Sequence, residues 1–184
     1  MKTIKFLSML ALSAVLFTSC SDDDETPEEV NEEEVITTMT VTLVPQGGGD
    51  TITLQSRDID GDGPGAPEVT VSGSLDGNTT YTGGIVLLNE TVTPAEDITE
   101  EVAEEDDEHQ FFFQTTGSIA SIVYGDTDGN GNPVGIIFTL NTDTAGAASI
   151  TITLRHEPKK PNDGTLADAG GETDIAQTFN LVIN

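Results

Sequence analysis

Two short loops in the sequence carry oxygen-bearing side chains at alternate positions, an arrangement that suits a hard cation. The segment DIDGDG occupies residues 58–63, and DTDGNG occupies residues 126–131. In a calcium loop, carboxylates at the first, third and fifth positions share one ion, and a glycine permits the sharp turn that follows. The candidate calcium ligands are Asp58, Asp60 and Asp62 in the first loop, and Asp126, Asp128 and Asn130 in the second.

These loops have an alternative interpretation as plain hairpin turns. The twelfth position, which supplies a bidentate Glu in an EF-hand, is Val69 in one loop and Ile137 in the other. Asp-Gly and Asn-Gly pairs also favour the positive φ angles that tight turns require. Calcium is therefore the candidate cofactor, and simple turns are the competing explanation.

The two histidines form a second candidate site. His109 shares strand parity with Phe111 at the start of a predicted strand, and His156 lies at the end of another. If these strands are antiparallel neighbours, both imidazoles point inward at one rim and meet near Glu108 and Glu157. Imidazole nitrogens supported by carboxylates suit zinc or copper. The alternative is that each histidine bonds separately to carboxylates at its strand end.

Catalytic motifs do not emerge from the sequence. With 33 Asp and Glu residues, pairs of carboxylates at hydrolytic spacing arise by chance. Neither a G-x-S-x-G nucleophile elbow nor a phosphate-binding G-x-x-x-x-G-K loop occurs. The formal net charge of −27 also disfavours nucleic acid, whose binding requires basic residues on its phosphates. We therefore expect a protein that is not an enzyme and does not bind nucleic acid.

The first nineteen residues have the pattern of a secretory signal peptide. Lys2 and Lys5 precede an apolar run over residues 6–17, and small polar residues lead to Cys20. The run is shorter than the about 20 residues that a membrane-spanning helix needs. The segment ending in LFTSC resembles the lipobox of bacterial lipoproteins, in which cleavage precedes the cysteine and acyl chains are attached to it. Cys20 is thus the predicted lipidation site.

An acidic segment directly follows this cysteine. Ser21, Asp22, Asp23, Asp24 and Glu25 resemble the export signal that carries Bacteroidota lipoproteins to the outer face of the outer membrane. We expect a protein held in the outer membrane by its acyl chains and facing the cell exterior. Residues 20–34 are too polar to fold alone, so they are interpreted as a lipidated acidic tether. The alternative is an acidic linker behind an ordinary signal peptide.

The remaining chain, residues 35–184, alternates apolar and polar residues with the period of a strand. Thr fills many of the polar positions, as in TVTL and TITL, and Gly-rich segments separate the runs. This pattern predicts an all-β domain, an antiparallel Ig-like β-sandwich of about nine strands. The predicted strands cover residues 35–45, 50–57, 68–75, 80–90, 109–116, 118–125, 134–142, 148–157 and 173–183.

One segment, TPAEDITEEVAEEDDE, predicts a single acidic surface helix. Thr93 is the candidate N-cap, Pro94 suits the first helical position, and Glu96 closes a capping box. Five acids at residues 104–108 end the helix, where its dipole is already negative. A cationic partner is therefore expected. The candidates lie together in LRHEPKK and are Arg155, Lys159 and Lys160.

Four segments together resemble a group of small Bacteroidota lipoproteins labelled "type 1 periplasmic binding fold superfamily". They are TTYTGG, PAEDITEEVAEE, EHQFFFQ and LRHEPKK. The resemblance implies an exported lipoprotein that captures a ligand for an outer-membrane transporter, and it carries over no site residue. From the sequence we expect a non-enzymatic surface binding or adhesion module stabilised by calcium. The alternative is a metal- or ligand-capturing lipoprotein that partners such a transporter.

Overall fold

The structure is a computed structural model, and it describes residues 34–60 and 65–184. The predicted signal peptide, Cys20 and the export signal Ser21, Asp22, Asp23, Asp24 and Glu25 lie outside the described residues, as does Asp62. Within the described part, no helix has the length and apolarity needed to cross a membrane.

Ten strands and two short helices occur in the described residues. The strands are β1 (Thr38–Pro45), β2 (Ile52–Arg57), β3 (Glu68–Val71), β4 (Thr80–Asn89), β5 (Glu96–Asp97), β6 (His109–Gly117), β7 (Ile119–Tyr124), β8 (Ile137–Thr142), β9 (Gly146–His156) and β10 (Glu172–Ile183). The helices are α1 (Ile98–Glu104) and α2 (Leu166–Ala169).

The strands form two antiparallel sheets. The larger sheet has the order β3-β2-β1-β4-β8-β7, with the short β5 added at the end of β4, and the smaller sheet has the order β10-β9-β6. The chain passes from the smaller sheet to the larger one between β6 and β7. The predicted all-β antiparallel sandwich is confirmed, and each of the nine predicted strands is present.

The core lies between the inward faces of the sheets, as the alternating pattern requires. On β1, Met39, Val41 and Leu43 are fully buried, whereas the intervening Thr40 and Thr42 are half-exposed. On the smaller sheet, β9 and β10 contribute buried apolar residues in the same way: Ile150, Ile152, Leu154, Phe179, Leu181 and Ile183. The resulting rigid frame fixes the ends of β6 and β9.

The predicted start of the acidic helix is wrong. Helix α1 begins at Ile98, and its N-cap is Asp97, whose side chain accepts a hydrogen bond from Thr99 N. The preceding Glu96–Asp97 segment is extended because it pairs with β4. Strand pairing therefore overrides the local capping signal at Thr93. The second helix, α2, was not predicted.

The expected cationic partner of the acidic helix end is Lys160. Its Nζ donates to Asp106 O and to His109 O, at 2.5 and 2.7 Å. Lys159 instead pairs with Asp168, at 3.0 Å. The Arg155 guanidinium donates instead to Gly170 O, Gly171 O and Thr173 Oγ1. The prediction is thus confirmed for one of the three basic residues.

Candidate metal centre

The pairing of β6 with β9 brings the two histidines together. His109 and His156 are direct partners in the register, and their ring centroids lie 4.6 Å apart. His109 is fully buried and His156 is 8% exposed. The prediction that two strand ends would place both imidazoles at one rim is confirmed.

A buried carboxylate, that of Glu34, contacts both histidines. Glu34 is the last residue of the segment predicted to be the acidic tether. Glu34 lies four residues before β1, and its side chain is 2% exposed. Its Oε1 is 2.6 Å from His109 Nε2 and 3.5 Å from His156 Nδ1. Sequence reasoning missed Glu34 because an acid at the end of an acidic run looks like solvated linker.

A second carboxylate, Asp174, approaches from β10. The register of β10 against β9 shifts between Thr173 and Ile175, so Asp174 lies at a bulge. Bulges redirect a side chain, and they occur often beside functional sites. The Oδ2 atom of Asp174 is buried without a hydrogen-bond partner, as is Oε2 of Glu34. Sequence alternation predicted the strand but carries no signal for the bulge.

The contacts of His109 favour its charged, doubly protonated form. Its Nδ1 lies 3.2 Å from Glu105 O and its Nε2 lies 2.6 Å from Glu34 Oε1. The carbonyl oxygen and the ionised carboxylate both accept, so together they favour a proton on each ring nitrogen. Burial disfavours the charged ring, but the hydrogen bond and charge of Glu34 outweigh it and raise the pKa of His109.

The two carboxylates of the cluster differ in their protonation behaviour. Burial opposes ionisation of Glu34, but the hydrogen bond from His109 prevails and lowers the pKa of Glu34. Asp174 has no such donor. Burial, followed by the nearby negative charge of Glu34, raises the pKa of Asp174 to about 6. The site therefore combines one stable ion pair with one carboxyl that resists ionisation.

These four side chains could hold one metal ion. We name Glu34, His109, His156 and Asp174 the inner cluster; each offers one ligand atom, and these atoms lie within 4.8 Å of one another. Ligands of a tetrahedral zinc ion are roughly 3.3 Å apart, given bonds of about 2 Å. A modest adjustment of the side chains, in which the 2.6 Å contact between His109 and Glu34 opens and the longer separations close, would therefore complete the site.

The chemistry of the inner cluster fits a borderline transition metal such as zinc or copper. His109 already directs Nδ1 at a backbone carbonyl, the outer contact that fixes a metal-binding imidazole and leaves Nε2 for the ion. When both imidazoles are neutral, the two ionised carboxylates balance the charge of one divalent ion. The ion would also supply the missing partners of the two carboxylates.

A second group of potential ligands shares one of these histidines. Glu108, His156 and Glu157 also offer mutually close ligand atoms, and both acids are exposed. Nε2 of His156 is 3.9 Å from Glu108 Oε2, whereas Nδ1 of the same ring faces Glu34. The imidazole of His156 thus stands between a buried group and an exposed one.

The second aspartate loop is held as a turn by its own side chains. Asp126 accepts from Gly135 N at 2.6 Å and from Ile137 N at 2.9 Å. Asp128 is buried and accepts from Asn130 N and from both Asn132 N and Nδ2. The structure brings these residues together, with Asn130 contributing its backbone N–H. This arrangement accounts for the sequence pattern as a turn, and calcium binding there stays a prediction.

The first aspartate loop is described only in part. Asp60 is exposed, its carboxylate accepts from Gly65 N at 3.2 Å, and a hydrogen bond with Asp58 lowers the pKa of Asp60. Asp62 is outside the described residues. In residues 34–60 and 65–184, the groups of three or more converging Asp, Glu and His ligand atoms lie at the histidines.

A cleft of about 490 Å³ adjoins the inner cluster on its carboxylate side. Its lining includes Glu34 and Asp174, together with Asp58, Ser56 and Gln177. Ser56 Oγ donates to Gln177 Oε1 at 2.9 Å, which joins the two sheets beside the cleft. Glu34 and Asp174 of the inner cluster therefore border a cleft that is large enough to hold solvent.

No protein-family model matches the chain, and no curated protein or solved structure matches it either.

Proposed function

We propose that this protein is an exported, lipid-anchored binding protein, not an enzyme, and that its ligand is a divalent transition-metal ion, zinc or copper. The observation that carries the proposal is the inner cluster. It places two imidazoles and two carboxylates around one point, inside a domain whose other buried residues are largely apolar.

The energetic cost of burying the carboxylates of the inner cluster supports a binding function for it. Burying an ionised group is expensive unless it is paired and hydrogen-bonded. Here Glu34 and Asp174 each keep a buried oxygen without a hydrogen-bond partner, and Asp174 has a pKa of about 6. Folding alone would favour an apolar filling of this space, and a bound cation would satisfy both carboxylates.

The chain that precedes the binding domain would anchor it at the membrane. Glu34 is fourteen residues beyond the predicted lipidated Cys20 in the sequence. Anchoring at the outer membrane would hold a captured ion close to an outer-membrane transporter, which is the proposed partner. Calcium at the aspartate loops is the competing ligand assignment.

The test is a thermal melt of the full chain in EDTA and then with excess zinc, copper or calcium. A ligand that binds only the folded state stabilises it by about 2.7 kcal/mol at 100 times its dissociation constant. For a domain of this size, that corresponds to an increase in Tm of about 8 °C. Zinc or copper should produce the increase, and calcium should not.

Two variants separate the candidate sites. His156→Gln removes an inner-cluster nitrogen and should abolish the zinc or copper effect, whereas Asp60→Asn in the first loop should retain it. Stabilisation by calcium alone, lost in Asp60→Asn and kept in His156→Gln, would contradict the proposal and favour a calcium-stabilised binding module.

A further inference from the structure

The exposed group beside His156 has the position of a loading site for the inner cluster. Glu108 precedes β6, and Glu157 follows β9 directly. Glu157 N donates to Glu108 O at 2.7 Å, which holds the two acids side by side beyond the last pair of the two strands. The side chain of Glu108 is 49% exposed, so its carboxylate is free to meet ions from solvent.

The buried imidazole of His156 links this rim to the interior. Its side chain is 10% exposed, and its outward nitrogen, Nε2, lies 3.9 Å from Glu108 Oε2. This separation is too long for a direct hydrogen bond. A metal ion with ligand bonds of about 2 Å would span it. The inward nitrogen, Nδ1, lies 3.5 Å from Glu34 Oε1.

We propose that Glu108, His156 and Glu157 form a second, solvent-exposed position for a divalent transition-metal ion, from which the ion passes to the inner cluster. This inference rests on the proposed function and names the route by which the ligand arrives. The exposed acids attract the hydrated ion, His156 Nε2 provides its first nitrogen ligand, and the ion then passes to Nδ1 on the inward side of the same ring.

The chemistry favours this route for transition metals over calcium. An imidazole nitrogen suits zinc, copper and nickel, whereas calcium takes oxygen ligands. His109 Nε2 lies 2.6 Å from Glu34 Oε1, so this contact must open when an ion enters the inner cluster. A weaker position that retains the ion near the cluster gives time for that opening.

The experiment follows the loading of cobalt(II), whose tetrahedral complexes absorb visible light, into the full chain by stopped flow. The perturbed chain carries Glu108→Gln and Glu157→Gln, two exposed changes that leave the backbone hydrogen bond between these residues intact. We expect association to slow by at least about tenfold because the variant lacks both carboxylates of the exposed position, and loss of a partner at a metal site typically costs about 10- to 100-fold. Release should slow by the same factor, because the dissociation constant is set by the untouched inner cluster.

A matched control removes the same charge elsewhere. Asp50→Asn and Asp143→Asn change two exposed acids beyond the other ends of β1 and β9. Strand β9 has eleven residues, so its ends are roughly 33 Å apart at about 3.3 Å per residue. This control should load cobalt at the wild-type rate.

A high salt concentration distinguishes direct coordination of cobalt(II) by Glu108 and Glu157 from long-range electrostatic attraction of the ion. At 1 M NaCl the Debye length is about 3 Å, so steering is screened while direct coordination persists. The difference between wild type and the Glu108→Gln, Glu157→Gln chain should therefore remain at this salt concentration.

Three results would overturn the inference while leaving the inner site intact. These are an unchanged loading rate in the double variant, a difference that vanishes at 1 M NaCl, and slow loading in Asp58→Asn, which would assign the route to the adjoining cleft. A wild-type chain without any cobalt absorption would contradict the proposed function itself.

Discussion

Replacement of Asp174 by Asn should stabilise the metal-free protein and weaken metal binding. The folded-state pKa of Asp174 is about 6, against an ordinary value of 3.8. Because the folded pKa is the higher one, this carboxyl contributes most to folded-state stability below pH 3.8. That contribution is lost as the pH rises through about 6. An Asn at the same position has no charge to lose.

The size of the effect follows from this pKa difference. A difference of 2.2 between 6 and 3.8 corresponds to about 3 kcal/mol, at 1.36 kcal/mol per unit. Asp174 is half-buried and lines a cleft, so solvent screening reduces the expected gain to about 1 to 2 kcal/mol. For a domain of this size, Tm should increase by about 5 °C at pH 7.5.

The assay is urea unfolding in EDTA at pH 4.5 and pH 7.5, followed by a zinc titration of the folded chain. Asp174→Asn should be more stable than wild type at pH 7.5, by a larger margin than at pH 4.5, and should bind zinc at least about tenfold more weakly. The exposed Asp50→Asn is the control and should change neither property. A destabilised Asp174→Asn chain, or a gain that does not depend on pH, would refute the reasoning.

Three further predictions concern the protons and packing around the site. Zinc affinity should decrease as the pH is lowered from 8 to 5.5, because His109 and Asp174 must both release protons when zinc binds. Below about pH 6 the decrease should reach up to about a hundredfold per pH unit. Competition with a chromophoric chelator measures the affinity, and an affinity that does not depend on pH would contradict the prediction. Lys160→Met should lower the free energy of unfolding in urea by about 3 kcal/mol, since it leaves buried Asp128 without its cation. Lys159→Met changes a side chain that is 62% exposed and should lower it by less than about 1 kcal/mol. Gly83→Ala should destabilise the fold by about 1 to 3 kcal/mol because its new Cβ would overlap the ring of Phe138. The adjacent Gly84→Ala places its Cβ in open space and should change stability by less than about 1 kcal/mol. Equal effects of the two substitutions on urea unfolding would contradict the packing argument.

The sequence predicted the strands well because burial on one face produces a visible period of two. That period also predicted the meeting of His109 and His156, since both share parity with buried residues near the ends of their strands. The helix start was harder to predict. A good local capping signal at Thr93 lost to pairing between Glu96–Asp97 and β4, a contact that no local pattern reveals.

Half of the inner cluster could not be predicted from the sequence. Glu34 ends a run of acids that has no periodicity, and its burial depends on two strands more than seventy residues away. Asp174 is directed inward by a bulge, a feature of the pairing between β9 and β10. Both carboxylates enter the site through tertiary structure, whereas both histidines enter it through strand alternation.

The most direct test of the metal proposal is a crystal structure of the zinc-loaded protein with anomalous scattering recorded at the zinc edge. The account predicts one strong peak within bonding distance of His109 Nε2, His156 Nδ1 and a carboxylate oxygen of each of Glu34 and Asp174. A peak confined to the aspartate loops, or an inner cluster that keeps the hydrogen bond between His109 and Glu34 in the presence of saturating zinc, would contradict it.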